Sequence, residues 1–264
     1  MKKQNLLKIV TCFIIGFITI STLNAQFVHP GLANNKAELD KIKADVNAGV
    51  QPRKAGYDKM MENSLSSLSY TNSARAVAQA DGGNSANFAT DALAVYTHAL
   101  AWYINGNQAH ADKAIEIMNA WSNVLTDIVT AGGDSRQYIL VAGWVGEMFC
   151  EGAEIIRYSN AGWAGADITK FENMMKNVFY PHVNELALGY NGNWEASQIN
   201  TIIAIGVFCN DQAIYDQAVS MINGTGRGAI GVYCYTSGEV QETCRDQHHS
   251  MMGLGELVDA CEIA

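Results

Sequence analysis

Basic residues are scarce in this chain, and so are prolines and charges of either sign. Its 264 residues hold 17 Lys and Arg against 26 Asp and Glu, three prolines, and only 16% charged side chains. The formal net charge of −9 excludes the broad basic face that a nucleic-acid binder needs. An anionic carbohydrate stays open, because a cleft can be locally positive on an acidic protein. The six cysteines follow no zinc-ligand spacing. Strict apolar–polar alternation is rare, which argues against a sheet protein; with 48% apolar residues the composition reads as helical.

The first 25 residues read as a secretory signal. Lys2, Lys3 and Lys8 precede an apolar core from Ile9 to Ile20, and Leu23-Asn24-Ala25 ends in a small residue suited to cleavage before Gln26. The apolar run is short for a spanning helix, so no membrane span is expected once it is removed. Removal takes three of the 17 basic residues and no acid, leaving 14 against 26 and a charge of −12. Of the five remaining cysteines, Cys234 and Cys244 flank a polar loop and are placed to pair in an oxidising compartment, periplasmic or extracellular. Residues 26–264 are long enough to bury one sizeable core.

Along that domain, apolar residues recur at helical spacing between short Gly/Asn/Asp turns. Asn34 or Asn35 caps a helix carrying Leu39, Ile42 and Val46; further helices are expected over 53–68, 88–104, 109–129, 136–158, 168–188, 194–208 and 211–222. In the second half, Val232-Tyr233-Cys234-Tyr235 reads as a short strand within a Gly-rich loop, and a last helix starts near Asp246, with Thr243 or Asp246 as its cap. Ala92, Ala94, Ala99 and Ala101 would let neighbouring helices approach closely. Paired helices this apolar suggest an all-α, α/α layout in which inner helices are buried on most sides; periodicity alone does not separate it from an ordinary helical bundle or an open solenoid.

Polar residues gather at predicted helix starts: Asn84 and Asn87, Asn193-Trp194-Glu195, and Glu242-Thr243-Cys244-Arg245-Asp246-Gln247-His248-His249. Helix starts in a ring would bring these groups to one rim. Trp194 beside Glu195 suits a sugar ring and its hydroxyls, while capping and first-turn charge compensation account for Asn193 and Glu195 equally well. Two adjacent histidines beside an arginine and an aspartate favour a site over a solvated helix face.

Over most of the domain the chain resembles the alginate lyase family of polysaccharide lyases, an incomplete α/α toroid. The resemblance is carried by His29-Pro30-Gly31-Leu32, Asp91-Ala92 through Ala101-Trp102-Tyr103, Ala114-Ile115 to Ala120-Trp121-Ser122, Gly192-Asn193-Trp194-Glu195, and Gln241 to His249 with Gly253-Leu254-Gly255. It implies β-elimination at a uronic acid within an anionic uronate polysaccharide, alginate foremost. Such chemistry needs a group to neutralise the C6 carboxylate, a base for the C5 proton and an acid for the leaving O4. The resemblance implies Asn193 and Arg245 for the first role, His249 ahead of His248 for the second, and Tyr233 or Tyr235 for the third. Trp194, Glu195, Asn84, Asn87, Gln247 and Glu242 would contact substrate. Where the family typically has Asn-His, this chain has Asn193-Trp194.

The chain stops at Ala264 inside a helical pattern, so the expected toroid lacks its last helices. No metal or cofactor is demanded; only a cation near Asp246 and Glu242 stays open. Two rival readings come from other classes. One is a glycoside hydrolase using Glu195 and Asp246 as its acid–base pair. The other is a silent carbohydrate binder relying on Trp194, Trp144 and Trp163.

Overall fold

The computed structural model describes residues 27–81, 85–132, 136–185 and 189–264. Asn84 and the proposed signal segment lie outside these residues. The chain opens with α1 (Lys36–Asn47), where Asn35 and Glu38 form a reciprocal capping box worth about 1 kcal/mol. Then come α2 (Arg53–Glu62) and a single 3-10 turn at Ser64–Ser66, shorter than the unbroken helix expected to Leu68. Strands β1 (Val77–Gln79) and β2 (Asp127–Val129) pair in parallel around α3 (Ser85–Asn105) and α4 (Gln108–Val124). There follow α5 (Gln137–Arg157), α6 (Gly165–Met174), α7 (Tyr180–Val183), α8 (Gly192–Phe208), α9 (Gln212–Ile222), α10 (Ile230–Tyr233) and α11 (Gln247–Ile263). Between α6 and α7 the turns widen over Met175–Phe179, a one-residue irregularity that hydrophobic spacing does not register.

Helices α3, α5, α8 and α11 pack side by side as the inner set, with α4 and α9 outside α3 and α8 and α6 packed against α4. The four inner helices run in one direction: on α3 and α5, Phe88 meets Phe149 and Val95 meets Gly152. Gly143 and Gly146 on α5 meet Ser197 and Thr201 on α8, and Asn193 and Asn200 on α8 meet Gly253 and Glu256 on α11. Inner helices that share a direction put their first turns at one rim, as the sequence suggested. The close crossings depend on small residues: Ala92, Ala94, Ala99 and Ala101 are all fully buried. Leu93, on the same helix, is 42% exposed. An inner helix is covered on several sides by alanine, so burial does not follow its largest side chains. This is an incomplete α/α toroid.

Buried polar groups are tied into the frame. Asp91, 1% exposed, accepts hydrogen bonds from the Tyr70 hydroxyl, from the Ser73 amide and hydroxyl, and from Trp121 Nε1. Glu154, equally buried, takes His29 Nδ1 at 3.0 Å and the Gly31 amide at 3.2 Å, and His29 stacks on Tyr158. The Cys234–Cys244 pairing is not formed, and all five described cysteines are free.

Where α5 and α11 face each other, Glu147, Glu151, Glu256 and Asp259 converge near Tyr96, and Asn200 Nδ2 donates to Glu256 at 3.0 Å. Desolvation, then mutual repulsion, raises these carboxyls; Glu151 is pushed up to about 8. A carboxyl raised in the folded state binds protons that the unfolded chain has released. Its stabilising contribution is therefore complete below the ordinary value of 4.5 and lost as pH rises through about 8. Glu151→Gln is expected to raise the thermal midpoint over wild type above about pH 8, with little difference near pH 4.5. Equal gains at both pH values would show that repulsion is not the cause.

Candidate active site

The first turns of α8 and α11 are held together by the loop between α9 and α11. Gln241 does most of this. Its Oε1 accepts from the Gly192 amide at 3.0 Å, while Nε2 donates to the carbonyls of Arg227 (2.7 Å) and Val232 (3.2 Å). Gly192 leaves no room for a side chain, since a Cβ there would collide with the Arg227 carbonyl and come within 2.6 Å of the Tyr233 ring. The expected strand around Val232 is not formed. Ile230–Tyr233 makes one helical turn, which drives Tyr233 inward, and only a single Cys234–Val240 bridge follows.

Tyr233 is the buried hub of the site. Fully enclosed, it packs with Ala196 and Leu257 and directs its hydroxyl toward the His249 carbonyl, 3.5 Å away. Burial, then the charge of Glu242, pushes the phenol up to about 12, so it stays protonated. Gly253 makes the approach possible: a Cβ there would clash with the Tyr233 hydroxyl and lie 2.9 Å from Asn193 Cβ. Asn193, 1% exposed, has neither its amide nitrogen nor its amide oxygen hydrogen-bonded.

Helix α11 begins as expected at Asp246. The Asp246 carboxylate caps it by accepting the His249 amide at 2.8 Å and also meets His249 Nδ1 at 2.7 Å. That backbone N–H, followed by the imidazole contact, holds the Asp246 carboxyl below the usual carboxylate range. With Nδ1 turned to Asp246, Nε2 of His249 is left to act on a ligand. His248 stands edge-on to His249 at 5.7 Å and is exposed, as is Gln247. Arg245, whose side chain is 47% exposed, lies 3.6 Å from Glu242 and 3.7 Å from Asp246. Thr243 does not cap α11; its hydroxyl instead accepts the Val240 amide in the preceding turn.

Asn193, Tyr233, Glu242, Arg245, Gln247, His248 and His249 thus gather at the first turns of α8 and α11. Tyr235 is 50% exposed on the loop between α10 and α11. Asn87 is exposed on the first turn of α3, and no described hydrogen bond ties it to this group.

Two of the expected substrate contacts have structural partners of their own. Trp194 is only 8% exposed, packed on Ile139 and Leu140 and covered by Tyr190, whose ring stacks on it at 3.8 Å. Glu195 accepts the Gly228 amide at 2.6 Å and fastens the Gly-rich loop to α8. Both are framework. Neither Tyr190 nor Gln241 is among the candidate site residues read from the sequence, although Gln241 opens the run that carries the family resemblance. An aromatic four residues before Trp194 was the available signal for one, and the polar run at 239–249 for the other.

A concavity of about 620 Å³ is lined by Phe27, Pro30, Lys36, Tyr215 and Ile263, at the far end of α11 from His249. Among the described residues, no group of three or more His, Cys, Asp or Glu is arranged to hold a metal ion. None of the described helices is long and apolar enough to cross a membrane.

With the toroid and this cluster established, the comparison with family models is decisive: the alginate lyase model matches residues 35–264. The chain belongs to the alginate lyase family. That places it among polysaccharide lyases, with a polysaccharide as the class of substrate. No curated protein is similar enough to the chain to count as a match.

Proposed function

We propose that this family member cleaves the 1,4 linkage of a uronate-containing polysaccharide, alginate first, by β-elimination. The observation that carries this reading is Asn193. A buried amide with both polar atoms unpaired costs stability and calls for a ligand that pairs them, and it packs against Gly253, one turn along α11 from His249. Arg245 and Asn193 neutralise the C6 carboxylate, which makes the C5 hydrogen acidic. His249 Nε2, oriented through Nδ1 by Asp246, takes that proton. The electron pair forms the C4–C5 double bond, the C4–O4 bond breaks, and the leaving oxygen receives a proton from a tyrosine. Tyr235 is assigned this donation because solvent reaches it, whereas Tyr233 is enclosed and braces the first turn of α11. His248 is the exposed alternative base.

The rival readings have less support from the geometry. Glu195 Oε2 accepts the Gly228 amide and Asp246 caps α11, which argues against their working as a hydrolytic pair. Trp194 and Trp163 are each 8% exposed, and Trp163 Nε1 donates to Asn119, so neither presents an open stacking face. A polymer substrate also fits export to the periplasm or beyond, which the Lys2–Ala25 segment would direct.

The test is ultraviolet absorbance of unsaturated uronate during incubation of wild type, Arg245→Gln and Asn193→Ala with mannuronate-rich alginate, guluronate-rich alginate and glucuronan. A signal is expected from wild type on at least one of these polymers, and a strongly reduced one from both variants. Wild-type turnover in both variants would remove the roles of Arg245 and Asn193.

A further inference from the structure

Glu242 differs from the other enclosed acids of this protein. Asp91 and Glu154 are each 1% exposed, and hydrogen bonds occupy both oxygens of each carboxylate. Glu242 is just as enclosed, yet neither of its oxygens has a hydrogen-bond partner. A carboxylate kept only for packing would be expected to be satisfied in the same way, because an unpaired buried charge is costly. The nearest cation is the Arg245 guanidinium, 3.6 Å away and beyond hydrogen-bond distance. Arg245 is held equally loosely on its other side, 3.7 Å from Asp246.

The local backbone sets up this arrangement. The Thr243 amide bonds the Val240 carbonyl and the Arg245 amide bonds the Glu242 carbonyl, making a tight double turn. Glu242 is thereby turned inward toward Tyr233, and Arg245 outward to the rim. The guanidinium is ion-paired to a buried and an exposed carboxylate but hydrogen-bonded to neither, so its fork remains available to a third.

We propose that Glu242 is a positioning residue: from beneath, its buried carboxylate holds the Arg245 guanidinium where it meets the uronate carboxylate. The inference rests on the β-elimination reading above. Glu242 touches no substrate itself and acts through Arg245. Its charge, second to burial, also keeps the Tyr233 phenol protonated beside it.

The test is a double-mutant cycle in kcat/KM on the polymer that wild type degrades, with thermal midpoints measured for every variant. Glu242→Gln keeps the shape and removes the charge. It is expected to lower kcat/KM on the order of tenfold, mainly through KM. In an Arg245→Gln background the same change should have almost no further effect, because the partner it positions is gone. Glu242→Asp restores the charge and should recover part of the loss; if Glu242→Gln does not fold, Glu242→Asp carries the cycle instead. A loss of the same factor with and without Arg245 would overturn the inference and leave Glu242 a structural group. So would unchanged kcat/KM in Glu242→Gln. Wild type inactive on every uronate polymer would remove the β-elimination reading, and this inference with it; an active wild type with an additive cycle removes this inference alone.

Discussion

His249→Ala is expected to lower kcat for β-elimination by roughly 10²- to 10⁴-fold, the range supplied by a positioned general base, while the protein stays folded. The imidazole is partly exposed and contributes one side-chain contact to the cap; the main cap bond is from the His249 backbone amide to Asp246, which alanine keeps. The thermal midpoint should therefore change little. His248→Ala, one residue away and exposed, should retain most of the turnover. Asp246→Asn should fall between them. It keeps an oxygen that can cap the helix but removes the charge that orients Nδ1 and stabilises the protonated imidazole. Steady-state rates and melting curves on the three variants check this ordering. If His248→Ala is the inactive one, the base has been misassigned.

The second large effect is expected from Gly253→Ala. The added methyl group would overlap the Tyr233 hydroxyl and press on Asn193 Cβ at 2.9 Å, so α11 must move off α8 at the turns that carry His249. Overpacking of this kind costs about 1–3 kcal/mol, and displacement of the base by even an ångström lowers turnover steeply. Gly255→Ala is the control, two residues along the same helix, with nothing within 4 Å of its added Cβ. There alanine should be neutral or stabilise by up to about 1 kcal/mol, since glycine is the poorer helix former. Urea denaturation and kcat/KM for the pair separate close packing from helix propensity. Similar behaviour of the two variants would show that the contact with Tyr233 does not set the position of α11.

Most of the helical frame was legible because apolar periodicity and caps are local signals. Asn35 and Asp246 each start a helix where their side chains predicted it, and the alanines of α3 allow the close approach they suggested. What failed depended on neighbours distant in sequence. Val232, Tyr233 and Tyr235 have strand-forming side chains, yet the turn is helical because Tyr233 docks in the gap left by Gly192 and Gly253. Trp194 stands among polar residues and reads as exposed, but the Tyr190 ring covers it. Glu242 sits in the most polar stretch of the chain and is nonetheless enclosed, which no local pattern can reveal. The clustering at one rim followed from the ring topology. The inward or outward facing of each side chain within the cluster did not.

The most direct test of β-elimination is the mass of the oligosaccharides released from alginate by the wild-type protein. Elimination forms a double bond as the linkage breaks, so each new non-reducing end should be lighter by one water than the hydrolytic product, and His249→Ala should release none. Products of the full hydrolytic mass would contradict the account and return the chemistry to a water-activating pair of groups.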